Sequence, residues 1–386
     1  MSDPASDRAA SRLFRSFWLA GFESACHING RGDRLDLVRA TQHDLQLRED
    51  YARIRQFGFR GVRESARWHL MDRGRRLDFS LVLPVLRAAA AEDVQVLWTL
   101  CHYGWPDDLN LFSAGFVERF ARYAAALARV VSDHGDEVPF YTPINEISFF
   151  AWAAGETGYI HPHRTGVGGE LKRQLVRAAI AGMEAIREVD PRARFIHVDP
   201  LIHVIPPRGR PDLARAAADQ RASQFDAWDM LAGGMHPDLG GHPRYLDIVG
   251  VNYYHANQWE YPDRRLRWED APRDRRWVPL RFLLEEVYTR YDRPLVISET
   301  SHFGGGRGRW LREVTDEAAA TRARGIPLEG LCIYPIIDRP DWDDPQHWHN
   351  SGLWDLRPCP DGRLERVPCE EYLKVLQEAQ AVLGTV

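Results

Sequence analysis

The chain has 386 residues, 44% of them hydrophobic and 27% charged, with a formal net charge of −5 at pH 7. That supplies apolar material for a large core and no basic face of the kind that a nucleic acid or an anionic membrane requires. The apolar stretch 17–22 is too short for a signal core or a membrane span, so a soluble cytoplasmic protein is expected.

Short apolar runs then alternate with amphipathic ones along the whole chain. Strands are expected at 17–22, 61–68, 94–103, 140–146, 194–202, 247–254, 294–300 and 328–338. Each is rich in Val, Ile, Leu and aromatics, as strands covered on both faces are. Helices are expected between and after them at 45–57, 81–92, 116–133, 171–189, 224–231, 280–291, 311–324 and 372–383. In the third of these, Phe116, Phe120, Tyr123, Ala124, Leu127 and Val131 recur at helical spacing and make one buried stripe. Eight strand–helix pairs are the count of a closed α/β architecture, the (β/α)8 TIM barrel. It is expected as a single domain over residues 1–386, with 1–14 a flexible N-terminus. An open doubly wound sheet would place a glycine-rich phosphate turn after its first strand. The segment 23–30 is no such turn, and the glycines at 304–308 follow the seventh strand, where they read as a flexible loop.

In a parallel barrel the residues at the C-terminal strand ends face the site. Two expected strands close on a glutamate there: the fourth, Thr142-Pro143-Ile144-Asn145-Glu146, and the seventh, Ile297-Ser298-Glu299-Thr300. Strands four and seven lie across the barrel mouth from one another. A carboxylate in such a place is costly to desolvate unless it has a partner or a task. Two facing carboxyl groups are what glycosidic bond cleavage needs, one delivering a proton to the leaving oxygen and the other attacking or activating water. The plain alternative is that each glutamate only pairs with one of the many arginines at the rim.

The segment TPINE resembles the Thr-x-Asn-Glu motif of clan A glycoside hydrolases, and further segments resemble glycoside hydrolase family 1, the β-glucosidase family. These are SACHING (24–30), VRESARW (62–68), LCHYGWP (100–106), VGVNYY (249–254), ISET (297–300) and YPIIDRPDW (334–342), followed by SGLWDL. The resemblance implies a retaining β-glycosidase that hydrolyses or transfers a β-linked sugar through a covalent glycosyl-enzyme. Glu146 would be its general acid/base and Glu299 its nucleophile. Arg63 and Tyr254 match the partners of the nucleophile, and His102, Asn145 and Asn252 match hydrogen-bonders around the sugar. Asp341 and Trp342 match the positions that bind its distal hydroxyls, Tyr334 the aromatic floor, and His27 the residue that grips two hydroxyls. Three of these depart from the family pattern: His27 stands for Gln, Asp341 for Glu and Tyr334 for Trp. The substrate-reading side is altered while the cleavage machinery matches, so a sugar other than plain glucose is expected. A phosphorylated sugar is not, because no Ser-x-Lys-x-Tyr clamp is present and Lys172 and Lys374 are the chain's lysines.

No cofactor or metal is expected. His161 and His163, and His347 and His349, are close pairs, but neither stands in a zinc-type set of ligands; the second pair is placed at the cavity mouth. No GxSxG elbow supports acyl transfer. The five cysteines, Cys26, Cys101, Cys332, Cys359 and Cys369, are odd in number without a CxxC pair, which suits reduced thiols. The expected partner is a carbohydrate or glycoside, and an oligomer is compatible with all of this. Two other readings stay open: a barrel that binds carbohydrate without cleaving it, and one that uses the same carboxylates for other carbohydrate chemistry.

Overall fold

The eight expected strands form one closed parallel barrel, with helices in the connections between them. We label them β1 (Trp18–Gly21), β2 (Gly61–Ser65), β3 (Gln95–Cys101), β4 (Phe140–Ile144), β5 (Arg194–Pro200), β6 (Ile248–Asn252), β7 (Leu295–Thr300) and β8 (Leu328–Ile333). The computed structural model describes residues 13–74, 76–135 and 138–384. Closure runs through β1, which pairs with β8 (Trp18 against Leu331) and with β2 (Leu19 against Gly61). This is a (β/α)8 barrel in a single domain.

Strand alternation divides the apolar residues into two cores. In β1, Trp18 and Ala20 face the helices, whereas Leu19 points into the barrel. In β3, Val96 and Trp98 face outward and Leu97 inward. The inner core of Leu19, Leu97, Phe140, Ile196 and Val296 is sealed by Phe14, whose ring lies 5.1 Å from that of Phe140. Of the N-terminal stretch expected to be flexible, residues 1–12 lie outside the described residues, and Phe14 is a buried part of the barrel. Outside the barrel, Trp68 stacks on Tyr123 at 5.5 Å and meets Phe116 and Phe120 edge-on, so the predicted stripe of helix Ala114–His134 is buried as a unit. Truncating such an aromatic to Ala typically costs about 3–5 kcal/mol.

Two small sheets were not legible in the apolar pattern. The antiparallel hairpin Trp354–Pro358 and Leu364–Pro368 follows β8. Arg366 ties it to helix Leu47–Gln56 through two hydrogen bonds to Asp50, both side chains fully buried. The strands His203–Ile205, Gln258–Glu260 and Arg264–Arg265 form the second sheet, built on the connections after β5 and β6. All five cysteines are free thiols, and among the described residues no helix is long and apolar enough to cross a membrane.

Candidate active site

Two local irregularities aim the glutamates. In β7 simple alternation sends Val296 and Ser298 inward and would send Glu299 out toward the helices. The register against β6 slips between Ile297 and Glu299, so that Ile297 pairs with Val251 and Glu299 with Asn252. This β-bulge turns Glu299 into the mouth and lets Thr300 face outward, where its hydroxyl accepts from Trp310 Nε1 at 2.8 Å. Glu146 follows β4 in a left-handed conformation, φ 46°, just before helix Ile147–Ala151. A non-glycine residue rarely adopts that backbone, and strain of this kind concentrates at functional sites. The turn is held by Asp199 of β5, which accepts from the Ser148 N–H at 2.8 Å.

Both carboxyls line one cavity of about 1070 Å³ at the C-terminal end of the barrel. Glu299 is held by a cation: Arg63 Nη1 donates to its Oε1 at 2.8 Å, and the Tyr254 hydroxyl donates to its Oε2 at 2.8 Å. Glu146 has neutral donors only, Asn252 Nδ2 on Oε1 at 2.8 Å and the Tyr103 hydroxyl on Oε2. Burial disfavours charge on either group. It lifts Glu146, with the help of the Glu299 charge and against the pull of Tyr103 and Asn252, to about 8. It lifts Glu299 as well, but the Arg63 guanidinium and the Tyr254 hydroxyl pull back. The two titrate as a pair, and with a guanidinium on one side only, the shared proton rests on Glu146.

Several predicted residues stand behind these carboxyls rather than on the cavity wall. Arg63, Asn145 and Asn252 do not line it. The amide groups of Asn145 are committed, Oδ1 accepting from Arg63 Nη2 at 3.0 Å and Nδ2 donating to Tyr103 Oη at 3.1 Å. Asn252 Oδ1 likewise accepts from Ser298 Oγ at 2.7 Å. These two amides, expected around the sugar, reach the glutamates and their supports. Tyr254, His102, Tyr334 and Trp342 do line the cavity. Burial and the nearby Arg63 charge hold His102 well below the usual histidine range, and its Nδ1 is engaged by Ser24 Oγ at 2.9 Å, which leaves Nε2 for the cavity. Tyr334 fits beneath because Gly21 carries no side chain: a Cβ there would lie 2.2 Å from the ring.

His27 and Asp341 do not line the cavity either. The His27 ring is buried edge-on against Trp342 at 4.6 Å, with no hydrogen-bond partner for either nitrogen among the described residues. Burial lowers its pKa to about 3. The short Asp341 side chain caps its own loop, Oδ1 accepting from the Asp343 and Asp344 N–H groups and Oδ2 meeting His349 Nε2 at 3.0 Å. Of the second histidine pair, His349 lines the cavity and His347 does not.

Three cavity residues escaped the sequence reading. Glu23, 6% exposed, accepts at Oε1 from the Ser24 and Ala25 N–H groups (2.9 and 3.0 Å) and from the Tyr334 hydroxyl (3.2 Å). Its Oε2 pairs with Arg339 Nε at 3.2 Å. Tyr103, at φ 65°, is the hydroxyl on Glu146. A signal for Glu23 existed: like the two chosen glutamates, it sits at the end of an apolar strand. Tyr103 stood inside a quoted motif, one residue after His102.

The fold is one that family 1 β-glucosidases share. The family 1 β-glucosidase of Thermotoga maritima superposes with a TM-score of 0.75 at 16% identity, over 95% of this chain and 97% of that one. Its complex with noeuromycin gives 0.76 at 17% identity over the same shares, and its complex with azafagomine 0.75 at 16%, over 96% and 98%. No family model and no curated protein matches the sequence.

Proposed function

We propose that the chain is a retaining β-glycosidase acting on a neutral sugar or glycoside. The observation that carries this reading is the electrostatic inequality of two buried carboxyls on one cavity. Glu146, lifted to about 8, holds a proton at neutral pH, whereas Glu299 shares its charge with Arg63. In the first step a Glu299 oxygen attacks the anomeric carbon while the Glu146 proton passes to the departing oxygen. Glu146, now a carboxylate, takes a proton from water; the water oxygen attacks the same carbon, and Glu299 leaves with its electron pair. An alcohol in place of water gives transfer. Two inversions return the original anomeric configuration.

Tyr334 and Trp342 offer aromatic faces to the ring and His102 an imidazole nitrogen to a hydroxyl. Glu23 and Arg339 take the distal role that the motif match gave to His27 and Asp341. That β-glucosidase barrels of this fold form complexes with noeuromycin and azafagomine supports a small ligand for this chain as well. The test is a screen of aryl β-glycosides of differing sugars, with the first anomer formed followed by proton NMR and the protein trapped with a 2-fluoro sugar. The β-anomer and a mass increment on Glu299 are expected. Release of the α-anomer would replace retention by inversion, and unsaturated products would indicate a lyase. Absence of turnover and of trapping across the panel would leave a binding barrel.

A further inference from the structure

At one edge of the cavity the fold brings together three side chains that no part of the proposed reaction uses. His255 directly follows Tyr254 of the β6 end, His302 lies just past β7, and Glu269 comes from the long connection after β6. One ligand atom from each lies within 4.8 Å of the others. His302 Nε2 is 2.9 Å and His255 Nε2 3.9 Å from the same oxygen, Glu269 Oε1, and the two imidazole rings are 4.1 Å apart.

A histidine against a carboxylate is an ordinary pair. The second imidazole is what goes beyond it. His255 is 8% exposed, and its Nδ1 is buried without a hydrogen-bond partner among the described residues.

We propose that His255, His302 and Glu269 form a binding site for a divalent cation of the zinc, cobalt or nickel type, with water completing its coordination. Two imidazoles and one carboxylate are a donor set such ions favour. Bonds of roughly 2.0–2.2 Å place neighbouring donors of a tetrahedron about 3.3–3.6 Å apart. His302 Nε2 at 2.9 Å and His255 Nε2 at 3.9 Å from Glu269 Oε1 bracket that spacing. His302 Nδ1 accepts from the Phe303 N–H at 2.8 Å and also lies 3.0 Å from the Phe303 carbonyl oxygen. Moving the ring proton to Nδ1, toward that carbonyl, frees the Nε2 lone pair for the metal at the cost of the bond from the N–H. This is a change of tautomer and releases no proton. Arg265 is a nearby cation that works against the ion, and Glu269 supplies the one negative charge. The bound ion would tie the ends of β6 and β7, which carry Tyr254 and Glu299, to the loop that carries Glu269.

The experiment uses the full chain stripped with a chelator and titrated with Co2+, followed by d–d absorption, and with Zn2+, followed by thermal unfolding. One saturable equivalent and a higher Tm are expected. His255→Ala, His302→Ala and Glu269→Gln should each weaken binding by more than the roughly 10–100-fold that loss of an outer partner costs. The variant H347A/H349A, which removes the other histidine pair of the mouth, should bind like the parent. Melting of each variant in chelator shows whether it folds; Glu269→Gln, at a partly exposed position, carries the test if a histidine variant does not. Absence of saturable binding in the parent overturns the proposal. So does parent-like binding in Glu269→Gln, or loss of binding in H347A/H349A alone.

Discussion

On the side of the cavity built by β2, β4, β6 and β7, each polar group behind the glutamates has a partner that belongs to the same network. Arg63 joins Glu299 to Asn145, Asn145 reaches Tyr103, Tyr103 reaches Glu146, and Asn252 joins Glu146 to Ser298. On the side built by β1, β3 and β8, His102, Tyr334 and Trp342 line the cavity, His27 and Asp341 do not, and Glu23 and Arg339 join the lining. A network in which every member satisfies two others resists change, because removing one leaves a buried group unpaired. A rim in which one ion pair does the work of another can be exchanged at small cost to the fold. Chemistry and recognition are thus held by separate groups of side chains, with the end of β3 giving Tyr103 to the first and His102 to the second, and the two groups should answer mutation differently.

The largest effects are expected on the networked side. Glu299→Gln keeps the shape and removes the nucleophile, and kcat on an aryl β-glycoside should fall by about 10⁴-fold or more, in the range typical for loss of a catalytic nucleophile. Near-parental turnover would take Glu299 out of that role. Glu146→Gln removes a proton donor, worth about 10²–10⁴-fold, and the loss should depend on the leaving group. A nitrophenolate departs without protonation, so its glycoside should be affected far less than an alkyl glycoside. Equal losses on both would argue that Glu146 does not protonate the leaving oxygen.

Recognition is probed by Glu23→Gln, which leaves the shape and takes the charge from the Arg339 pair. Its kcat/KM should drop by about 10–200-fold on the preferred sugar, the scale of a lost specificity contact, with the order of preference among sugars altered. Asp341→Asn, on a residue engaged with its own loop, should leave the order of sugar preference unchanged and lower stability by about 0.5–2 kcal/mol, the scale of a weakened cap. If Asp341→Asn changes sugar preference and Glu23→Gln does not, the two sides have been assigned the wrong way round.

The order of strands and helices was legible because a strand covered on both faces is written as a continuous apolar run, and each such run here is followed by a helix-period stretch. The choice of Glu146 and Glu299 was legible for the same geometric reason, the strand-end rule. How those carboxyls are aimed was not. The slip at Glu299 and the left-handed turn at Glu146 are set by neighbouring strands, and period-2 alternation alone would have turned Glu299 away. Motif alignment also left the placement of His27 and Asp341 open, since it assigns an identity and not a direction. One methylene fewer in Asp341 leaves the carboxylate where its own loop N–H groups capture it. The histidines at 255 and 302 are 47 positions apart, and nothing local in the sequence joins them.

The finest test of the networked side is Tyr103→Phe. The Tyr103 hydroxyl donates to Glu146 and accepts from Asn145. A donor to a carboxylate favours the charged form, so Tyr103 holds the Glu146 pKa below where burial and the Glu299 charge alone would set it. Without the hydroxyl, Glu146 keeps its proton to higher pH, and the alkaline limb of kcat/KM, which reports loss of that proton in the free protein, should move upward from about 8. The acid limb, set by ionisation of Glu299, should stay in place, because Tyr103 makes no hydrogen bond to that group. Activity near neutral pH should change by no more than about tenfold, the scale of one neutral hydrogen bond. A profile whose two limbs move together would mean that Tyr103 acts on the cavity as a whole, and an unmoved alkaline limb would place the working proton somewhere other than Glu146.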